Sequence, residues 1–171
     1  QGESLSSPWK PFALALGANL GDRAGAIVAA VEALRGHPGI RETRLSSLYE
    51  TDPVGGPEQP DYLNAVLVGL TTLSPEALLA QARAIEQAHG RQRDIPWGPR
   101  TLDLDLLALG DETRASEDLT LPHPRAHERW FVLAPWVEVA PDMSLPGKGK
   151  VSELAQAWSG DRDSVRRTGS G

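Results

Sequence analysis

Cysteine is absent from all 171 residues, which excludes thiolate nucleophiles, cysteine-ligated zinc and a disulfide framework. That fits a reducing compartment, and a cytoplasmic setting is expected. No apolar run approaches the ~20 residues a membrane-spanning helix requires, and no charged-then-apolar leader opens the sequence. The net charge of −6 argues against a broad nucleic-acid or membrane-binding surface. Lysine is scarce, three residues against fourteen arginines, so an arginine is informative only through its neighbours. Residues 1–11 read as a flexible lead-in and 159–171 as a flexible tail, which leaves 12–158 as one domain. No internal repeat is present, and a monomer is expected.

What the sequence does contain is an orderly series of apolar segments. Phe12 to Leu16 is a short strand. Asp22 can cap a helix that runs to Arg35 with Ile27, Val31 and Leu34 on one face. Arg41 to Tyr49 alternates as a second strand, and Tyr62 to Thr72 makes a third. Ser74-Pro75-Glu76 starts a helix that carries Leu78, Leu79, Ala82 and Ile85 inward and ends near Gly90. Thr101 to Leu109 is the fourth strand. This β-α-β-β-α-β order predicts an α+β, ferredoxin-like fold, an antiparallel sheet with both helices on one face. About 45 further residues, ending in a helix near Val151 to Trp158, are expected to extend this unit and wall its open face.

The most informative stretch is Trp97-Gly98-Pro99-Arg100-Thr101-Leu102-Asp103-Leu104-Asp105-Leu106-Leu107. Along a strand, Leu102, Leu104 and Leu106 take one face and Asp103 and Asp105 the other. Those acids then sit roughly 7 Å apart, within reach of hard divalent cations. The alternative is a half-exposed edge strand whose outer face is merely acidic. Arg91, Arg93 and Arg100 fall within ten residues that hold one acid, Asp94, and a basic loop on an acidic protein suits a small anionic ligand. Paired carboxylates beside arginines serve phosphoryl transfer, where positioning and charge stabilisation dominate catalysis. Tyr62 and Asn64 are expected to share one face of their strand.

Three other features carry two readings each. Gly17-Ala18-Asn19-Leu20-Gly21-Asp22 lacks the Walker pattern and reads better as a tight strand-to-helix turn than as a phosphate cradle. His123, between two prolines, suits a rigid turn before it suits catalysis, although Arg125 and Arg129 lie near. Glu86 is either an acid satisfied by an arginine or an acceptor for a ligand hydroxyl.

Taken in order, several blocks form a pattern. They are Gly17-Ala18-Asn19-Leu20-Gly21, Tyr49-Glu50-Thr51-Asp52-Pro53-Val54-Gly55, Gln59-Pro60-Asp61-Tyr62-Leu63-Asn64-Ala65, and Glu86 with Gly90-Arg91. Trp97 through Leu107, Leu121-Pro122-His123-Pro124-Arg125 and Glu128-Arg129-Trp130-Phe131-Val132-Leu133-Ala134-Pro135 follow. Across roughly Ala13 to Pro146 the chain resembles the 6-hydroxymethyl-7,8-dihydropterin pyrophosphokinases of folate biosynthesis. The resemblance implies an enzyme that moves the β,γ-pyrophosphate of ATP onto the pterin hydroxymethyl group and releases AMP. It implies that Asp103 and Asp105 hold two Mg²⁺ ions while Arg91 and Arg100 stabilise the transferring group. By the same resemblance, Arg93, His123 and Arg129 bind ATP phosphates, and Glu86, Leu106 and Thr120 lie along the nucleotide. Gly17, Thr51, Asp52, Val54, Tyr62 and Asn64 would recognise the pterin, Phe131 would stack on it, and Trp97 would close over both substrates. The sequence departs from the family at Ala18, where Ser is usual, and at Arg83, where Gln is frequent. Two rival readings remain, a ferredoxin-like RNA-binding module and a kinase that phosphorylates another acceptor and releases ADP.

Overall fold

Strands with small or branched apolar residues on both faces need cover on both faces, and the chain supplies it in two instalments. The computed structural model describes residues 8–18, 23–51, 62–93, 102–117, 119–123, 129–158 and 165–167. The first instalment runs β1 (Lys10–Ala18), α1 (Arg23–Arg35), β2 (Ile40–Leu45), β3 (Tyr49–Thr51), β4 (Tyr62–Thr71), α2 (Pro75–Arg93) and β5 (Leu102–Leu109). β1 lies between β4 and β5, antiparallel to both. β2 and β3 lie end to end along the other edge of β4. The ferredoxin-like order expected from the sequence is present, with both helices on one face.

That face holds the larger core. Phe12, Leu14, Leu16 and Ala18 of β1 meet Leu63, Ala65 and Leu67 of β4 and Leu102, Leu104 and Leu106 of β5. Ala26, Ile27, Ala30, Val31 and Leu34 of α1 and Leu78 and Ala82 of α2 close over them. Each fully buried leucine contributes on the order of 2 kcal/mol. α2 starts as its sequence suggests: the Ser74 hydroxyl accepts the Ala77 N–H at 3.1 Å, with Pro75 in the first turn.

The second instalment extends the unit. It comprises the hairpin β6 (Arg114–Ala115) and β7 (Thr120–Leu121), then α3 (Trp130–Val139), a second hairpin of β8 (Ser144–Leu145) and β9 (Gly149–Lys150), α4 (Val151–Ala157) and β10 (Val165–Arg167). Arg114 ties the first hairpin down by donating to Glu76 of α2 and to Glu112. Its guanidinium holds both carboxyls below the usual carboxylate range. No helix among the described residues is long and apolar enough to cross a membrane.

Four features differ from the sequence-based expectation. The strand expected over Arg41 to Tyr49 is interrupted. One extra residue bulges where β2 meets β4, with Glu42 at φ 54°. Gly69 faces this bulge, and a Cβ there would lie 3.0 Å from the Arg41 carbonyl, Thr43 Cγ2 and Phe12 Cε2. The ladder then stops at Ser46, whose N–H donates to the Val66 carbonyl at 2.9 Å while its hydroxyl accepts the Val66 N–H at 3.0 Å. α2 passes through Gly90 to Arg93, so Arg91 and Arg93 belong to a helix end and not to a loop. An interior glycine costs only about 1 kcal/mol, Gln87, Ala88 and Gln92 are good helix formers, and arginines suit a helix C-terminus. α3 was not legible as a helix, because Pro135 sits inside it. Val165–Arg167, inside the stretch read as a flexible tail, pairs with β3.

Candidate active site

α3 covers only part of the second face of the sheet. Val132, Trp136 and Val139 pack onto Ala13, Val66, Val68, Leu107 and Ala108. A register shift between Ala13 and Leu14 turns both Leu107 and Ala108 toward this core, whereas residues 102–106 keep strict alternation. Beyond the helix the same face carries polar groups. Gly17 stands opposite Asn64 on one side and Asp103 on the other, and Ala15 stands opposite Val66 and Asp105. Asn64 is 8 % exposed, and both aspartates are half-buried.

The small residues of β1 create this arrangement. With adjacent strands ~4.8 Å apart, the Asn64 and Asp103 backbones are about 10 Å apart across Gly17. A Cβ on Gly17 would lie 3.1 Å from Asn64 Oδ1, so glycine leaves that amide its place. An amide that both donates and accepts, set beside two carboxylates, can read a heterocycle edge and hold cationic or metal-bridged groups next to it. Among the described residues no cluster of three or more His, Cys, Asp or Glu side chains gathers as a metal cage.

The edge of β5 forms one border of the site. The Leu104 N–H donates to Glu86 Oε2 at 2.6 Å, and Arg83 Nη1 donates to the Leu104 carbonyl at 2.8 Å and to Glu86 Oε2 at 3.0 Å. Glu86 thus meets an arginine, as the first of its two readings has it, through one carboxylate oxygen, Oε2. Leu106 is buried with its side chain in the larger core, so only its backbone can border a ligand. Farther along, the His123 N–H donates to the Leu107 carbonyl at 2.9 Å and brings the turn after β7 alongside β5. Thr120, on β7, is exposed.

A second border is assigned to the start of α3. Arg129 is its N-cap residue, with the guanidinium 5.7 Å from the Phe131 ring centroid, and Phe131 is half-buried against the smaller core. Glu138, nearer the end of the same helix, accepts from Ser47 N–H and Oγ–H and from the Tyr49 hydroxyl at 2.8–3.0 Å. It thereby fixes the start of β3, which ends at Thr51, against the helix that carries Phe131. Sequence reasoning missed Glu138, and with α3 unread no signal pointed to it. Arg91 and Arg93 close α2, and Tyr62 opens β4 next to Leu63. Asp52, Val54, Trp97 and Arg100 lie outside the described residues.

Comparisons with known proteins identify the family and the fold. The family model for 7,8-dihydro-6-hydroxymethylpterin-pyrophosphokinase (HPPK) matches residues 13–141. The 2-amino-4-hydroxy-6-hydroxymethyldihydropteridine pyrophosphokinase of Bacillus subtilis is 46 % identical over 126 residues, which cover 74 % of this chain and 75 % of that protein. The enzyme of the same name from Mycobacterium bovis is 41 % identical over 167 residues, 90 % of this chain and 87 % of that protein. Among solved structures, wild-type Plasmodium falciparum HPPK-DHPS with pterin and p-hydroxybenzoate superposes with a TM-score of 0.67 at 14 % identity. The superposition covers 98 % of this chain and 48 % of that one, so the chain spans about half its length, and the likeness is one of fold. On the extent of the family match and the identity to these relatives, the chain belongs to the 7,8-dihydro-6-hydroxymethylpterin-pyrophosphokinase family.

Proposed function

We propose that the face shared by β4, β1 and β5 is where the family's reaction takes place, with the pterin on the Asn64 side and ATP on the Asp103–Asp105 side. Family membership makes the chain a diphosphokinase that transfers a pyrophosphoryl group to 6-hydroxymethyl-7,8-dihydropterin in folate biosynthesis. The observation that carries the placement is the pair of adjacent cross-strand rows, Asn64–Gly17–Asp103 and Ala15–Asp105. They set an amide and two carboxylates side by side on one open surface. The pterin hydroxyl oxygen attacks the β-phosphorus, the bond to the α-phosphate breaks, and AMP leaves.

The donor set fits Mg²⁺. This cation takes one or two protein carboxylates and keeps its other positions for water and phosphate oxygens, which suits a pair of aspartates around which, among the described residues, no third acid gathers. Asp103 and Asp105 would hold two such ions, which supply Lewis-acid neutralisation of the triphosphate. Arg91 and Arg100 would add charge stabilisation at the transferring group, and Arg93, His123 and Arg129 would bind phosphates. Leu106, through its backbone, and Thr120 would border the nucleotide. Gly17, Thr51, Asp52, Val54, Tyr62 and Asn64 would form the pterin pocket, with Phe131 stacked on the ring and Trp97 closing the site. The chain works as a monomer in the cytoplasm, without nucleic-acid or membrane partners.

Product analysis tests the reaction directly. With ATP, Mg²⁺ and the pterin, AMP is expected to form in proportion to pterin consumed. Pterin-dependent ADP would instead establish a simple kinase. The pterin side is tested at Gly17. Gly17→Ala pushes a methyl group against Asn64 Oδ1, and pterin affinity is expected to fall about tenfold, equivalent to ~1.4 kcal/mol. A wild-type dissociation constant by isothermal titration would take Gly17 and Asn64 out of the pocket.

A further inference from the structure

Among the described residues β5 is the last strand on its side of the sheet and pairs with β1 alone. In an antiparallel pair the N–H and C=O of alternate residues point toward the partner and away from it. The Leu104 groups point away, because both are taken by side chains of α2. By alternation, Asp103 and Asp105 turn their peptide groups toward β1, opposite Gly17 and Ala15. The segment that carries both carboxylates is therefore held by β1 on one side and by α2 on the other.

We propose that Arg83 and Glu86 are positioning residues, a two-side-chain substitute for a neighbouring strand that fixes the Leu104 peptide and, through it, Asp103 and Asp105. This rests on the reading of those aspartates as metal ligands. One turn of α2 separates the two residues, so their side chains reach the same spot. The Glu86 side chain is only 9 % exposed, a costly place for a carboxylate unless its partners are fixed. It meets the Leu104 N–H and the Arg83 guanidinium there, and Arg83 returns a hydrogen bond to the Leu104 carbonyl. Donor and acceptor are both matched, as a strand would match them. Arg83, with 45 % of its side chain exposed, contributes little to the core. Its hydrogen bonds lie at the one edge peptide between the two acids. A metal site tolerates errors of only about 0.5 Å in its ligands, and a strand held on one side alone can twist by more than that.

The decisive variant is Arg83→Leu, with Arg83→Gln as its conservative partner because an amide can still donate to the Leu104 carbonyl. Three readouts apply: hydrogen exchange at the Leu104 amide, the Mg²⁺ concentration for half-maximal turnover at fixed ATP, and pterin affinity. For Arg83→Leu, exchange at Leu104 is expected to accelerate about tenfold, and the Mg²⁺ requirement to rise about tenfold, as outer-shell changes do. Pterin affinity stays unchanged, and Arg83→Gln restores most of both effects. Unchanged exchange and Mg²⁺ requirement in Arg83→Leu would overturn the proposal. So would a higher KM for ATP with unchanged exchange, which would make Arg83 a nucleotide contact. Asp103→Asn separates the two layers. If it raises the Mg²⁺ requirement while Arg83→Leu changes only exchange, the pair is structural and the positioning role fails. If neither variant moves that requirement, the metal reading itself has failed.

Discussion

Asp103→Ala and Asp105→Ala are each expected to lower turnover by about 10³-fold, the equivalent of ~4 kcal/mol, if the two carboxylates hold the ions proposed to neutralise the reacting phosphates. The fold survives, because neither side chain belongs to a core. Both aspartates are half-buried on the open face, while Leu102, Leu104 and Leu106, which hold the strand, point to the other side. Removing one of two like charges on the same strand face also relieves repulsion. Thermal melting should therefore stay near that of the parent protein while turnover collapses. Asp→Asn sharpens the test by keeping size and polarity and deleting only the charge. Steady-state assays over a wide range of Mg²⁺ read the result. Near-normal turnover in either alanine variant would return Asp103 and Asp105 to the status of an acidic edge.

How far the site was legible depended on the distance over which each feature is determined. Alternation of Leu102, Asp103, Leu104, Asp105 and Leu106 is a local property of one strand, and it placed both acids on the open face correctly. It fails at Leu107 and Ala108, which both face the smaller core because a bulge inserts one extra residue, and a bulge depends on the partner strand. The row Asn64–Gly17–Asp103 joins Gly17 to residues 47 and 86 positions further along the sequence, and only strand register sets it. Glu86 shows the same limit. Its sequence context pointed to an arginine partner or a ligand, and the Leu104 backbone that Glu86 also meets becomes a neighbour only in the folded chain. α3 was hidden by Pro135, an interior helix residue that propensity rejects by about 3 kcal/mol and that tertiary packing here overrides. β10 had no apolar period to reveal it and exists through the free edge of β3.

That packing can be measured at one residue. Trp136→Ala is expected to lower the free energy of unfolding by about 3–5 kcal/mol, the range for truncating a buried aromatic side chain. Trp136 is fully buried between α3 and the sheet. Its cluster takes in Ala13 and Ala108 of the sheet, small residues that cannot fill the space the indole would vacate. Trp136→Phe should cost much less than that. Among the described residues the indole Nε1 has no hydrogen-bond partner, and an unmade buried donor costs about 1–3 kcal/mol, so phenylalanine loses volume but also removes an unsatisfied group. Urea unfolding of the two variants, with the slope unchanged, gives both values. The consequence reaches the site through α3, which carries Phe131 toward one end and Glu138 toward the other. If Trp136 anchors that helix, Trp136→Ala weakens pterin binding while leaving the Asp103–Asp105 strand and its Mg²⁺ requirement as they were. A loss of stability below ~1 kcal/mol would mean that the Glu138 contacts with Ser47 and Tyr49, and not the smaller core, hold α3 in place.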